Sequence, residues 1–194
     1  MRSYTLDTNC VIALEGSEPA AESVRELVAA YHRGVLDLAI PAIAASERQS
    51  GGKYLETFDE FRQRLSRLGL GKVSLIEPIA YWNISFYGHG LWADEPMVEL
   101  ERKIQAILHP NIEFTLAEYC EARGLPVETT QPDPKWRNAK CDVQAMWSHI
   151  WHKRDVFVSS DNNFLKRTKM PGLVELGAGA IVTPETAAEL AAAD

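Results

Sequence analysis

The stretch Tyr4-Thr-Leu-Asp-Thr-Asn-Cys-Val-Ile-Ala-Leu14 (YTLDTNCVIAL) closes a short apolar run on an aspartate and an asparagine, then turns apolar again at once. Buried polar groups cost free energy unless they are hydrogen-bonded. One reading makes Asp7, Thr8 or Asn9 the N-cap of a helix that begins near Cys10. The other holds the Asp7 carboxylate at the C-terminal edge of a sheet, where open α/β folds bind ligands. The two are compatible, and the rest of the chain decides whether Asp7 has company.

Working outward, residues 3–7 read as a strand and residues 20–33 as an amphipathic helix with Val24, Leu27, Val28 and Tyr31 on one face. Gly34 suits the C-terminal end of that helix. VLDLAIP reads as a second strand stopped by Pro41. AIAASERQS starts a helix that carries Glu47, with Gly51 and Gly52 as a break. YLETFDEFRQRLSRLG is helical, and KVSLIEP is a short strand. PMVELERKIQAILHP and FTLAEYCEARG read as helices, and PVETTQPDPKWRN as a loop. CDVQAMWSHIWHKR is then a helix opened by Asp142, DVFVSS a strand, DNNFLKRTK a turn into a short helix, GAIVTP a last strand and ETAAELAAA a last helix. Alternation of strands and helices predicts an α/β protein, a three-layer α/β/α sandwich around a parallel sheet. Residues 1–194 read as one domain, with residues 72–135 as a mainly helical insertion.

Composition narrows the function. The chain has 194 residues, 46% of them hydrophobic, an ordinary globular value that excludes wholesale disorder. No apolar run approaches the length of about eighteen residues that spans a bilayer, so no membrane partner is expected. The opening MRSYTLDTNC lacks the apolar segment of a signal peptide. Cys10, Cys120 and Cys141 are an odd number without paired spacing, which suits reduced thiols and a cytoplasmic protein. The net charge of -7 argues against nucleic-acid binding by bulk electrostatics. It leaves room for an enzyme with a local basic rim, since clustered carboxylates that hold a cation do not repel phosphate.

Four acids share one predicted location. Asp7 ends the first strand, Asp161 follows the strand DVFVSS, Glu47 follows the second strand, and Asp142 lies on the helix that leads to Asp161. In a parallel sheet these positions fall along one edge. Like charges in one site raise each other's pKa, and oxygen-rich sites suit Mg²⁺ or Mn²⁺. Such ions hold phosphate oxygens and activate water for in-line attack on a phosphodiester.

LDTNCVIAL, IPAIAASE, CDVQAMWSHI and VFVSSDNNF occur in an order that resembles the PIN-domain nucleases, over roughly residues 3–50 and 136–185 by our reading. The resemblance implies a parallel-sheet α/β/α fold and metal-dependent cleavage of RNA, or in some cases DNA. Carried over residue by residue, it implies Asp7, Glu47, Asp142 and Asp161 as metal-binding and catalytic acids, with Asn9 and Ser159 in support. Ser159 stands where the family often has Thr, and Asn163 where it often has a further Asp. Many members are shorter, so residues 72–135 look like an addition that shapes the cleft or a homodimer surface. The superfamily includes toxins held by an antitoxin partner, so an antitoxin-like protein is a second partner class. A non-catalytic binding module is the reading from another class. A phospho-aspartate enzyme is disfavoured, because no DxDxT motif surrounds Asp7.

The remaining signals have plainer explanations. Lys135, Arg137 and Lys140, with Lys166, Arg167 and Lys169, flank Asp142 and Asp161 and are candidates for a phosphate-tracking rim as much as for ordinary solubility. His149 and His152 are three apart and could share a metal, though an exposed helix end is the better expectation. The aromatics of FYGHGLW could stack on bases, but a packed loop is preferred. Asp94, Glu95 and Asp133 read as solvated surface, and Cys10 and Cys141 as small buried residues.

Overall fold

The strands are short and buried on both faces, which requires a helical layer on either side of the sheet. A computed structural model describes residues 1–16, 18–48 and 52–193. Five strands, β1 (Ser3–Leu6), β2 (Asp37–Pro41), β3 (Ser74–Ile76), β4 (Val156–Val158) and β5 (Ala180–Val182), form one sheet in the order β3-β2-β1-β4-β5. Every pairing is parallel. The helices are α1 (Thr8–Gly16), α2 (Ala21–His32), α3 (Phe58–Arg67), α4 (Glu95–Leu108), α5 (Leu116–Glu121), α6 (Pro134–Trp151), α7 (Asn162–Leu165), α8 (Met170–Glu175) and α9 (Pro184–Ala192).

Successive strand residues point to opposite faces. Tyr4, Leu6, Leu38, Ile40, Val156 and Val158 pack into one core with side chains of α1, α2, α3 and α9. Phe157 and Ile181 point the other way, into a second core with α4, α5, α6, α7 and α8. This is the three-layer α/β/α arrangement that the alternation of elements predicts. The chain lays β1, β2 and β3 outward in one direction, then returns to place β4 and β5 on the other side of β1. The reversal lies between β1 and β4, and such a switch point leaves a crevice at the strands' C-terminal ends.

Local chemistry explains most boundaries. Gly34 sits just past α2 with φ of 73°, a left-handed conformation that costs glycine little. Thr57, Asp94, Asp133 and Thr183 each accept a backbone N–H in the first turn of a helix. Asp94 and Asp133 are therefore caps for α4 and α6 rather than idle surface charges, while Glu95 is exposed as expected.

Three expectations need correction. Glu47 is not on a helix: a single 3₁₀ turn, Ala42–Ser46, follows β2, and Glu47 leaves it in extended conformation with ψ of 161°. The expected continuation through Gln49, Ser50 and Gly51 lies outside the described residues. Asp142 does not open its helix, because α6 begins at Pro134, a residue pre-set for the first turn, and Asp142 lies mid-helix. Residues 72–135 are less helical than expected: β3 is the sheet's edge strand, α4 and α5 follow, and long connections fill the rest.

Phe157 is fully buried at the centre of the second core, with ring neighbours His149 and Phe164. Phe157→Ala is expected to lower unfolding free energy by about 3–5 kcal/mol. Urea unfolding measures this, and a loss under about 1 kcal/mol would mean the core is not packed as described.

Candidate functional site

The crevice between β1 and β4 receives Asp7 directly, since its N–H donates to the Val158 carbonyl at 3.0 Å. Both carboxylate oxygens of Asp7 are engaged. Oδ1 accepts the Thr8 N–H at 2.8 Å, and Oδ2 accepts the Ser159 hydroxyl at 2.7 Å and the Asn9 amide at 2.9 Å. The Asn9 amide also reaches Ser159 Oγ at 2.9 Å, and Asn9 Oδ1 accepts the Ser160 N–H at 3.1 Å. Asn9 and Ser159 thus tie the loop after β1 to the loop after β4. Ser159 Oγ in turn accepts the Asp161 N–H at 3.0 Å.

The other acids come from different elements. Glu47 accepts the Thr8 hydroxyl at 2.7 Å. Asp142 lies 3.0 Å from His109 Nε2. Asp161 caps α7 by accepting the Asn163 N–H at 2.7 Å. Burial pushes the Asp7 carboxyl up to about 7, against the pull of the Ser159 and Thr8 hydrogen bonds, and the charges of Asp142 and Asp161 push it further. Burial also holds Glu47 well above the carboxylate range, with Asp7, Asp142 and Asp161 adding repulsion. Burial raises Asp142, while its His109 contact works the other way. Asp7, Glu47 and Asp142 thus each feel the charge of at least one other acid of the group.

Among the described residues no three His, Cys, Asp or Glu side chains form a ready-made metal cage. Each carboxylate is directed to a local donor instead: Thr8, Asn9 and Ser159 for Asp7, Thr8 for Glu47, His109 for Asp142, and the Asn163 N–H for Asp161. The donor chemistry still fits a hard divalent cation, because the group is carboxylate oxygen throughout and its mutual repulsion falls when positive charge is added.

His109 was not expected here. It follows α4 and faces Asp142 from the stretch 72–135, and Asn163 Nδ2 lies 3.3 Å from the same ring nitrogen. A lone histidine before Pro110 carries no sequence signal for this contact. Thr8 and Asn163 were likewise invisible as partners of the acids.

The expected basic rim divides. Lys140 does not belong to it: the side chain is buried, pairs with Glu101 at 2.8 Å and lies over the rings of Tyr81 and Phe114. Because α6 starts earlier than expected, Lys140 falls on the helix face that α4 covers. Arg137 donates to the Ser46 carbonyl at 3.0 Å, one residue from Glu47, and stacks over Tyr54. Lys169 bonds the Leu108 carbonyl and Asn163 Oδ1, and feels the charges of Asp161 and Asp142. Lys135, Lys166 and Arg167 are exposed.

His149 and His152 are no metal pair. His149 is fully buried between Thr5 Oγ1 and the Ala178 carbonyl, both at 2.8 Å, and burial lowers its pKa to about 4. His152 is exposed and lies 3.1 Å from the Glu77 carbonyl. Cys10 and Cys141 are buried, as expected, and burial raises both thiols far above their usual range.

No family model matches the chain, and no curated protein matches it. One similar solved structure is VapBC2 from Rickettsia felis bound to a DNA fragment from their promoter. It is 13% identical, with 93% of this chain and 98% of that chain covered and a TM-score of 0.42. A match at that level is a likeness in outline and carries no argument about function.

The Asp7 shift has a stability consequence. A carboxyl with a raised folded pKa stabilises the fold below its unfolded pKa of 3.8 and loses that contribution as pH rises towards about 7. Asp7→Asn is therefore expected to match wild type near pH 4 and to exceed it by on the order of 2 kcal/mol at pH 8. Thermal unfolding at both pH values tests this. A variant less stable than wild type at pH 8 would contradict the raised Asp7 pKa.

Proposed function

We propose that the chain is a single PIN-like domain acting as a Mg²⁺- or Mn²⁺-dependent endonuclease on RNA. The observation that carries the reading is the convergence of Asp7, Glu47, Asp142 and Asp161 upon one crevice at the sheet's switch point, linked through Thr8, Ser159, His109 and Asn163, with Asp161 adding to the charge felt by the other three. Buried like charges are costly and are a recurrent mark of functional sites. The order of the four motifs in the sequence supports the same assignment. Three buried free thiols suit a reducing, cytoplasmic setting. Among the described residues no helix is long and apolar enough to cross a membrane.

In this reading the four carboxylates hold the ion or ions. When bound, the cation supplies Lewis-acid chemistry, neutralising phosphate charge and acidifying water. The chain's own residues set the geometry. Ser159, Asn9 and Thr8 fix the Asp7 plane, Thr8 steadies Glu47, and His109 orients Asp142. Lys169 and Arg137, beside the acids, are placed to meet phosphate oxygens of a bound strand, with Lys135, Lys166 and Arg167 further out. RNA is the preferred substrate and DNA the alternative. The acidic crevice also suits the basic tail of an antitoxin-like protein, which would hold the enzyme silent.

Purified protein with Mn²⁺ is expected to cut single-stranded RNA internally, and EDTA to stop it. Asp7→Asn should lower the rate by about 100-fold or more while keeping the fold. Wild-type cleavage by that variant, or cleavage that survives chelator, would rule the mechanism out. His109→Ala should weaken Mn²⁺ binding by about 10–100-fold as the loss of an orienting contact. Unchanged affinity would remove His109 from the site.

A further inference from the structure

The connection from β3 to α4 keeps aliphatic residues inside and turns three large rings outward. Trp82, Tyr87 and Trp92 are 90%, 102% and 92% exposed, whereas Ile79 and Ile84 are buried. This reverses the expectation of a packed aromatic loop. The loop is nevertheless firmly built. Its neck is closed by Ala80 N–H to the Leu91 carbonyl at 2.9 Å and Leu91 N–H to the Pro78 carbonyl at 2.8 Å. Gly90 passes so close to Ala80 that a Cβ there would lie 2.9 Å from the Ala80 Cα. His89 stacks on Phe58 with centroids 3.4 Å apart, and Phe86 meets the same ring edge-on. The Ile79 N–H donates to Gln144 on α6, and the Tyr81 hydroxyl donates to Glu101 on α4.

One further bond fixes the loop's relation to the acids. The Ser46 hydroxyl donates to the Ile84 carbonyl at 2.6 Å, and Ser46 is followed directly by Glu47. The Ser46 carbonyl accepts the Arg137 guanidinium, so a cation stands at the residue that pins the loop at Ile84. Exposed Arg48 follows Glu47.

We propose that Trp82, Tyr87 and Trp92 form a stacking platform for the bases of single-stranded RNA running past the four acids. The position beside a cutting site rests on the nuclease reading above; the binding itself does not. Exposed rings on a fixed loop lose little entropy when a base stacks on them, and every base offers a π-face. Along the chain the rings alternate with other residues, exposed Asn83 falling between Trp82 and Tyr87 and exposed Gly88 between Tyr87 and Trp92, and no two of the three rings pack on each other. Separate rings suit separate unstacked bases, whereas a protein partner calls for a continuous apolar face. Arg137, whose guanidinium meets the Ser46 carbonyl, supplies charge for the backbone between stacked bases and acids.

The test uses Asp7→Asn protein in EDTA, where cleavage does not interfere, with a fluorescein-labelled twelve-nucleotide oligouridine and an RNA duplex of equal length. Anisotropy should show tighter binding of the single strand. Trp82→Ala and Trp92→Ala should each weaken it by roughly tenfold, and the triple variant with Tyr87→Ala by roughly 100-fold or more. Trp82→Phe with Trp92→Phe should regain most of the affinity, which a merely structural role would not require. Circular dichroism should show all variants folded. Affinity unchanged in the triple variant, or no binding of oligouridine by the parent, overturns the proposal. Self-association of the parent that the triple variant loses, with RNA affinity unchanged, would overturn it in favour of contact with a second copy. Ring-dependent binding without any cleavage by wild type would keep the platform and sink the nuclease reading; cleavage with ring-independent binding would do the reverse.

Discussion

Burial of the Asp7 carboxylate beside the half-buried Glu47, Asp142 and Asp161 is the constraint on which the arrangement of this crevice depends. Asp7 has no freedom to avoid it, because its N–H extends the hydrogen bonding between β1 and β4. The loop that leaves β4 carries Asp161, so the parallel pairing of the two strands brings both acids to one end of the sheet. Local hydrogen bonds from Thr8, Asn9 and Ser159 offset part of the Asp7 charge, yet burial and its neighbours still hold that carboxyl near neutrality. A protein selected for stability alone would gain by replacing such a group with a neutral one.

The stretch between β3 and α6 is tied to that crevice at two points. The packing of α4 against α6 buries the Lys140–Glu101 pair and carries the chain on to His109, which meets Asp142. Earlier in the same stretch, the aromatic loop is pinned to Ser46 beside Glu47. The stretch thus meets both Asp142 and the turn that leads to Glu47, so its contacts bear on the acids themselves.

The sheet was legible because its signals are local. Short apolar runs end at polar or proline residues, amphipathic helices lie between them, and Asp7, Glu47 and Asp161 can be placed by counting from strand ends. Asp7 and Asp161 are placed most directly, each following a strand. What failed depends on packing between distant segments. Lys140 reads as soluble until α4 covers it, and His149 reads as a helix end until β1 and the turn at Ala178 enclose it. Asp142 reads as the start of a helix but lies mid-helix, because Pro134 reads as part of a loop and is in fact the helix start. His109 is distant in sequence from its partner and has no pattern around it. The aromatic loop shows the opposite failure, since hydrophobic composition suggested burial where three rings face solvent.

Calorimetric titration of Mn²⁺ into wild type and into the Asp7→Asn, Asp161→Asn double variant tests the central claim most directly. Saturable binding to wild type that disappears in the folded double variant is the predicted result. Absence of binding to both, or equal binding to both, would mean that the four acids do not make a cation site, and the nuclease reading would fall with it.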